Sequence, residues 1–141
     1  HEVARLPTAF QPDGTLAVAE YTAGHEAGQL WVKNTMLDKT GKKIIDLDGK
    51  AKLADGNPPG RLLVSFGPVL PETPNYHVMH VDEDYQFAVV GVPDRNSCWI
   101  LAREVPIAKD TLKTLQGIAK KAGFDVAKME IAPWDKIPKA K

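Results

Sequence analysis

Tyr76-His-Val-Met-His-Val81, Asp82-Glu-Asp84, Tyr85-Gln-Phe-Ala-Val-Val90, Gly91-Val-Pro-Asp-Arg-Asn96 and Ser97-Cys-Trp-Ile-Leu-Ala-Arg103 follow one another without a gap. The first, third and fifth segments are short, rich in β-branched and aromatic residues, and bounded by clusters of Asp, Gly, Pro and Asn, which is the pattern of strand, tight turn, strand, tight turn, strand. Turns this short make consecutive strands antiparallel neighbours. An apolar run closed by Arg103 ends the series.

Working outward, the same alternation recurs. Val3 to Leu6 is predicted to be a short strand stopped by Pro7, and Thr15 to Thr22 a longer one after the turn Pro12-Asp13-Gly14. Gly24 to Gly28 is the next turn. Leu30, Val32, Asn34 and Met36 share one face of a strand ended by Asp38-Lys39-Thr40-Gly41. Lys42 to Leu53 continues as an interrupted strand in which Gly49 marks a bulge or bend. Asp55 to Gly60 is a loop, Arg61 to Phe66 an apolar strand, and Gly67 to Asn75 a loop whose three prolines oppose regular pairing. The count is eight strands.

After Pro106 the period lengthens from two to about 3.6. Leu112, Leu115, Ile118, Ala119 and Ala122 fall on one helical face over about 110–122, with Asp110 placed to cap the start and Gly123 to end the helix. A last strand is expected within Val126 to Ile131, then a basic tail from Pro133 to Lys141. The pattern implies an all-β fold: an eight-stranded antiparallel up-and-down β-barrel, a calyx over about 2–104, with one C-terminal α-helix packed on its outside. A chain of 141 residues fits a single domain and can bury roughly 68% of its unfolded surface.

Composition narrows function. Eighteen basic and eighteen acidic residues give no formal net charge, so no broad field favours nucleic acid, and no nucleic-acid partner is expected. The single cysteine, Cys98, cannot form an internal disulfide, no Cys-x-x-Cys spacing exists, and neither metal nor cofactor is expected. No apolar run approaches a membrane span of about 18 residues, and His1-Glu-Val-Ala-Arg5 has no signal-peptide pattern. The chain reads as soluble, or as the soluble part of a longer one. An eight-stranded barrel is either filled by its side chains or holds one small ligand. Small or polar inward candidates at Ala19, Asn34 and Ser65 favour a cavity.

The segments Asp84-Tyr85, Ala88-Val-Val90, Pro93-Asp-Arg95 and Trp99-Ile-Leu-Ala-Arg103 resemble the lipocalins of bacteria and plants related to apolipoprotein D. The opening Glu2-Val-Ala-Arg-Leu-Pro7 with Phe10, the strand Ala19-Glu-Tyr-Thr22 and Arg61 to Pro68 are similar to further family segments. The likeness extends from His1 to about Ile131. The family's first signature, Gly-x-Trp, falls immediately before the segment that starts here at His1. The resemblance implies structural roles for Asp84, Tyr85 and Arg103, with Arg103 lying across the closed end of the barrel against the signature Trp. Without that Trp the base is expected to be looser or open, and neither Trp31 nor Trp134 is placed by sequence to replace it.

Transferring the family's inward positions residue by residue gives the candidate ligand set Tyr21, Asn34, Leu63, Ser65, Val78, His80 and Trp99. Barrel packing is the bland alternative for Trp99, and a structural hydrogen bond for His77 and His80. Two functions are weighed. One is noncovalent transport or storage of a fatty acid, lysophospholipid or similar amphiphile in the lumen. The other is an enzyme that uses the cavity for a hydrophobic substrate. Cys98, of opposite parity to Trp99, should face the helix, and no Ser-His-Asp or paired-carboxylate constellation is visible, which disfavours catalysis. The resemblance further implies a periplasmic, outer-membrane-associated or secreted protein, and admits peripheral membrane association and a homodimer.

Overall fold

The computed structural model describes residues 1–6, 15–54, 60–67, 69–93 and 95–134. The readings at Pro7, Phe10, Pro12 to Gly14, Asp55 to Pro59, Pro68, Asp94 and the tail beyond Trp134 lie outside them. The strands are β1 (Glu2–Arg5), β2 (Leu16–Ala23), β3 (Gln29–Leu37), β4 (Lys43–Leu53), β5 (Arg61–Ser65), β6 (Tyr76–Val81), β7 (Phe87–Gly91), β8 (Cys98–Ala102) and β9 (Glu130–Ile131), with the helix α1 (Lys109–Lys121) between β8 and β9. All nine strands belong to one antiparallel sheet ordered β2-β3-β4-β5-β6-β7-β8-β1-β9. The sheet curls, and among the described residues no ladder joins β2 to β1.

Some expectations change. The last strand expected within Val126 to Ile131 is only Glu130 and Ile131, which pair with Arg5 and Ala4 and join the sheet as a ninth strand, while Val126–Lys128 forms a turn of 3-10 helix. Gly49 is no bulge. It pairs in register with Val32, and a Cβ there would stand 2.6 Å from the Phe66 ring, so the missing side chain makes room for an aromatic. The irregularities fall instead at Met36/Leu37, Val78/His80 and Glu2/Ala4.

Alternation splits β8 into two faces: Cys98, Ile100 and Ala102 point outward to α1, and Trp99 and Leu101 point inward. The outward set joins Val3, Ala4, Leu6, Val89, Leu115, Ala119 and Phe124 in one buried cluster between sheet and helix. Each Val, Leu, Ile or Phe side chain buried there contributes about 1.5–3 kcal/mol. Asp110 does not cap α1. Ala108 holds the cap position without a side-chain bond, and Asp110 instead places its charge in the first turn, with Lys120 and Lys121 in the last. The other end is a Schellman motif. Gly123, at φ +97°, lets its N–H reach the Lys120 carbonyl at 3.0 Å and the Phe124 N–H reach that of Ala119 at 3.1 Å. This turn drops Phe124 onto Gly91 of β7, where a side chain would collide with the ring.

Candidate functional site

The inner face of the sheet is fixed by cross-strand pairing. Ala17, Met36 and Ile45 are paired in a row across β2, β3 and β4; Ala19, Asn34 and Leu47 form the next row, and Tyr21, Val32 and Gly49 the one after. On the far side Val90 pairs with Trp99, and Leu101 with Glu2. These rows enclose a cavity of about 450 Å³ whose wall includes Glu2, Ala17, Ala19, Tyr21, Asn34, Met36, Ile45, Leu47, Val64, Phe66, Asn75, Tyr76, Val90, Trp99 and Leu101. One end is packed solid by Val32, Ala51, Leu62 and Val64 with Leu30, Tyr76 and Val78. The hollow exists beyond that plug because alanines at 17 and 19 leave space that the residues in their rows do not fill. A second, shallower depression, outlined by the 23–30 turn and Leu53, lies open to solvent.

Of the candidate residues, Tyr21, Asn34 and Trp99 line the cavity. Leu63 and Ser65 do not. Ala51 pairs with Val64 and Leu53 with Leu62, so it is Leu62 and Val64 that face the interior and their neighbours that face away. The Ser65 hydroxyl accepts the Gly67 N–H at 3.0 Å in a local turn. Val78 shares the inward face with Tyr76 but belongs to the packed plug. His80 loses its expected parity at the Val78/His80 irregularity. Sequence reading missed Glu2, Phe66, Tyr76 and Asn75. It also passed over Ile45 and Leu47, although their alternation with Asp46 and Asp48 carried the signal.

Four apolar or aromatic side chains on this wall retain large accessible area: Tyr21 51%, Ile45 46%, Leu47 45% and Phe66 42%. Tyr76 and Trp99 stack at 5.4 Å and 9°. Burial pushes the Tyr21 phenol pKa up, with a further rise from Tyr76, and burial alone does the same at Tyr76. Both remain neutral donors. Their hydroxyls and the Asn34 amide make no side-chain hydrogen bond among the described residues. Asn75 differs: its amide takes the Val64 N–H and gives to the Val64 carbonyl, each at 2.8 Å, and so extends the short β5–β6 seam.

Among the described lining residues the one charged side chain is Glu2. Its carboxylate lies 3.5 Å from Arg5 Nε, and Arg5 Nη1 donates to Glu130 at 2.7 Å, brought there by the β1–β9 pairing. Glu2 and Arg5 are 5% and 3% exposed. At the end where β8 stops, Arg103 is exposed and donates from Nε to the Tyr85 carbonyl at 2.6 Å. The Asp84 carbonyl accepts from Gln86, and Tyr85 turns the chain at φ +55°. The indole at this end is Trp134, edge-on to His1 at 5.0 Å, its Nε1 donating to the Glu2 carbonyl at 2.6 Å. His1 Nδ1 lies 2.8 Å from the Arg103 carbonyl. Sequence gave Trp134 no such place. Cys98 lies outside the cavity, beneath α1, and burial pushes its thiol up to about 12, which makes it a poor nucleophile.

A curled antiparallel sheet, a helix on its outer face and a hollow lined by apolar side chains describe a binding calyx. Residues 1–134 match the lipocalin-like domain family. The chain belongs to the lipocalins. It is 32% identical over 145 residues to temperature-induced lipocalin-1 of Arabidopsis thaliana, covering 98% of this chain and 76% of the relative. It is 30% identical over 129 residues to outer membrane lipoprotein Blc of Escherichia coli (strain K12), covering 91% and 71%. Among solved structures, apocrustacyanin C1 superposes with a TM-score of 0.70 at 15% identity, covering 100% of this chain and 76% of that one, a likeness of fold alone. Lipocalins bind small hydrophobic ligands, and this lipocalin stands among binding proteins rather than enzymes.

Proposed function

We propose that this lipocalin carries or stores a single-chain amphiphile of the fatty acid or lysophospholipid class, its tail in the cavity and its charged head at the mouth. One observation carries the reading: Tyr21 of β2, Ile45 and Leu47 of β4 and Phe66 of the loop after β5 all keep about half their area accessible around one hollow. Exposed apolar area concentrated in a concavity is the mark of a ligand site, and each buried methylene adds about 0.8 kcal/mol. No bond is broken. The described lining residues include no cysteine, histidine, serine or lysine that could act as nucleophile or base. Relatives named as outer membrane lipoproteins support a periplasmic or outer-membrane-associated setting, where a carrier would meet its cargo at a membrane surface.

Trp99 reports occupancy. Palmitate and lysophosphatidylcholine titrated into the wild-type protein should shift or quench tryptophan emission, because Trp99 stacks on Tyr76 at the cavity wall while Trp31 and Trp134 stand elsewhere. In Trp99→Phe most of that signal should vanish. A signal of undiminished size in the variant would place binding outside the cavity and defeat the reading.

A further inference from the structure

We infer that the interior of this cavity selects ligands whose buried end is uncharged, a hydroxyl or carbonyl meeting Tyr21, Asn34 and Tyr76, and that it holds carboxylates back at the mouth. The inference rests on the carrier reading and adds the chemistry of the ligand's inner end.

Three facts carry it. Among the described residues, the polar groups offered to the hollow without a side-chain hydrogen bond are two phenols and one amide, neutral groups that both donate and accept. The phenols are neutral at pH 8 because a phenol ordinarily titrates near 10, and desolvation moves each of these further up. No lysine or arginine appears among the described lining residues, and the charge that does line the hollow, Glu2, is negative. The cation behind it is committed: Arg5 is 3.5 Å from Glu2 and 2.7 Å from Glu130, so two carboxylates already face one guanidinium. A ligand carboxylate drawn inside would lose its hydration, find no counter-charge and approach Glu2. An alcohol or ketone loses far less water and gains hydrogen bonds that those phenols and that amide otherwise lack.

The test is calorimetric titration at pH 8 with a matched pair, 1-dodecanol and dodecanoate, on the full chain. Dodecanol should bind about tenfold tighter or more. Tyr21→Phe should weaken dodecanol and leave dodecanoate little changed, and Asn34→Lys should reverse the order by supplying the missing cation. Dodecanoate binding as tightly as dodecanol to the wild type would overturn the inference and leave the carrier reading standing. The wild-type order persisting in both variants would also overturn it, since the end group would then lie elsewhere. Failure of both compounds to bind, together with failure of dodecane to displace a fluorescent apolar probe, would defeat the carrier reading itself.

Discussion

A cavity of fixed size closed at one end by packed side chains should measure the length of its ligand. The hollow encloses about 450 Å³, and a methylene-sized group fills about 30 Å³, so about 15 such groups fit before the chain must protrude. Each carbon added below that limit should strengthen binding by about 0.8 kcal/mol, which is about fourfold in Kd. Beyond it the gain should stop. Ala19→Leu adds three carbons to an inward position between Met36 and Val32 on the facing strand, consuming about 90 Å³ at the same packing and moving the plateau to about 12 carbons. Because the new atoms enter empty space rather than a filled core, stability should hardly change. The assay is competition calorimetry over 1-alkanols of about eight to eighteen carbons on both proteins, with a negative heat-capacity change confirming apolar burial. Affinity rising without a break through the longest chains, or a plateau that ignores Ala19→Leu, would show that the ligand does not fill this hollow.

Two further outcomes follow from the charges. Arg5→Met should cost about 3–5 kcal/mol in urea unfolding because it leaves the buried Glu2 carboxylate without its cation, and adding Glu2→Gln should recover part of that loss; an Arg5→Met cost below about 1 kcal/mol would mean the network is solvated. Asp82 accepts the N–H groups of Phe87 and Gln86, and these bonds hold its carboxyl below the usual 3.8. Its contribution to stability is therefore present above that pH and is lost as pH falls through the lowered value, so Asp82→Asn should differ most from wild type near neutrality and converge with it in acid; curves that stay parallel down to about pH 2 would remove Asp82 from the acid response.

What the sequence disclosed depended on how local each feature is. The Tyr76 to Arg103 meander was legible because alternation and turn chemistry are properties of neighbouring residues, and β6, β7 and β8 lie where those signals put them. The family resemblance put Trp99 on the inward face, and alternation from it put Cys98 under the helix. Parity survives, however, only while pairing stays regular. A bulge is a relation between two strands, so the shift at Val78/His80 that removes His80 from the site leaves no mark in β6 alone. In β5 the error was one residue: transferring the family's inward positions chose Leu63 and Ser65, whereas the Ala51–Val64 pairing turns Leu62 and Val64 inward. Glu2 and Arg5 look like surface charges in a linear reading, and the partner that neutralises Arg5 besides Glu2 is Glu130, 125 residues from Arg5 along the chain.

The cavity is the least local feature of all. No single residue makes it; volume appears where the small side chains of one strand fall opposite paired positions that are not bulky enough to compensate. Ala17 and Ala19 leave space that Met36, Asn34, Ile45 and Leu47 do not fill, while at Gly49 the same deficit is taken up by Phe66 and no space remains. Small residues therefore announce a hollow only once register says what faces them. The polar lining has the same origin. Tyr21 sits one inward position from Ala19 on β2, Asn34 pairs with Ala19 from β3, and Tyr76 enters from the start of β6, so three hydrogen-bonding side chains from distant stretches meet at one empty volume. A side chain that finds no protein partner there is a cost to the empty protein and a contact for whatever fills it.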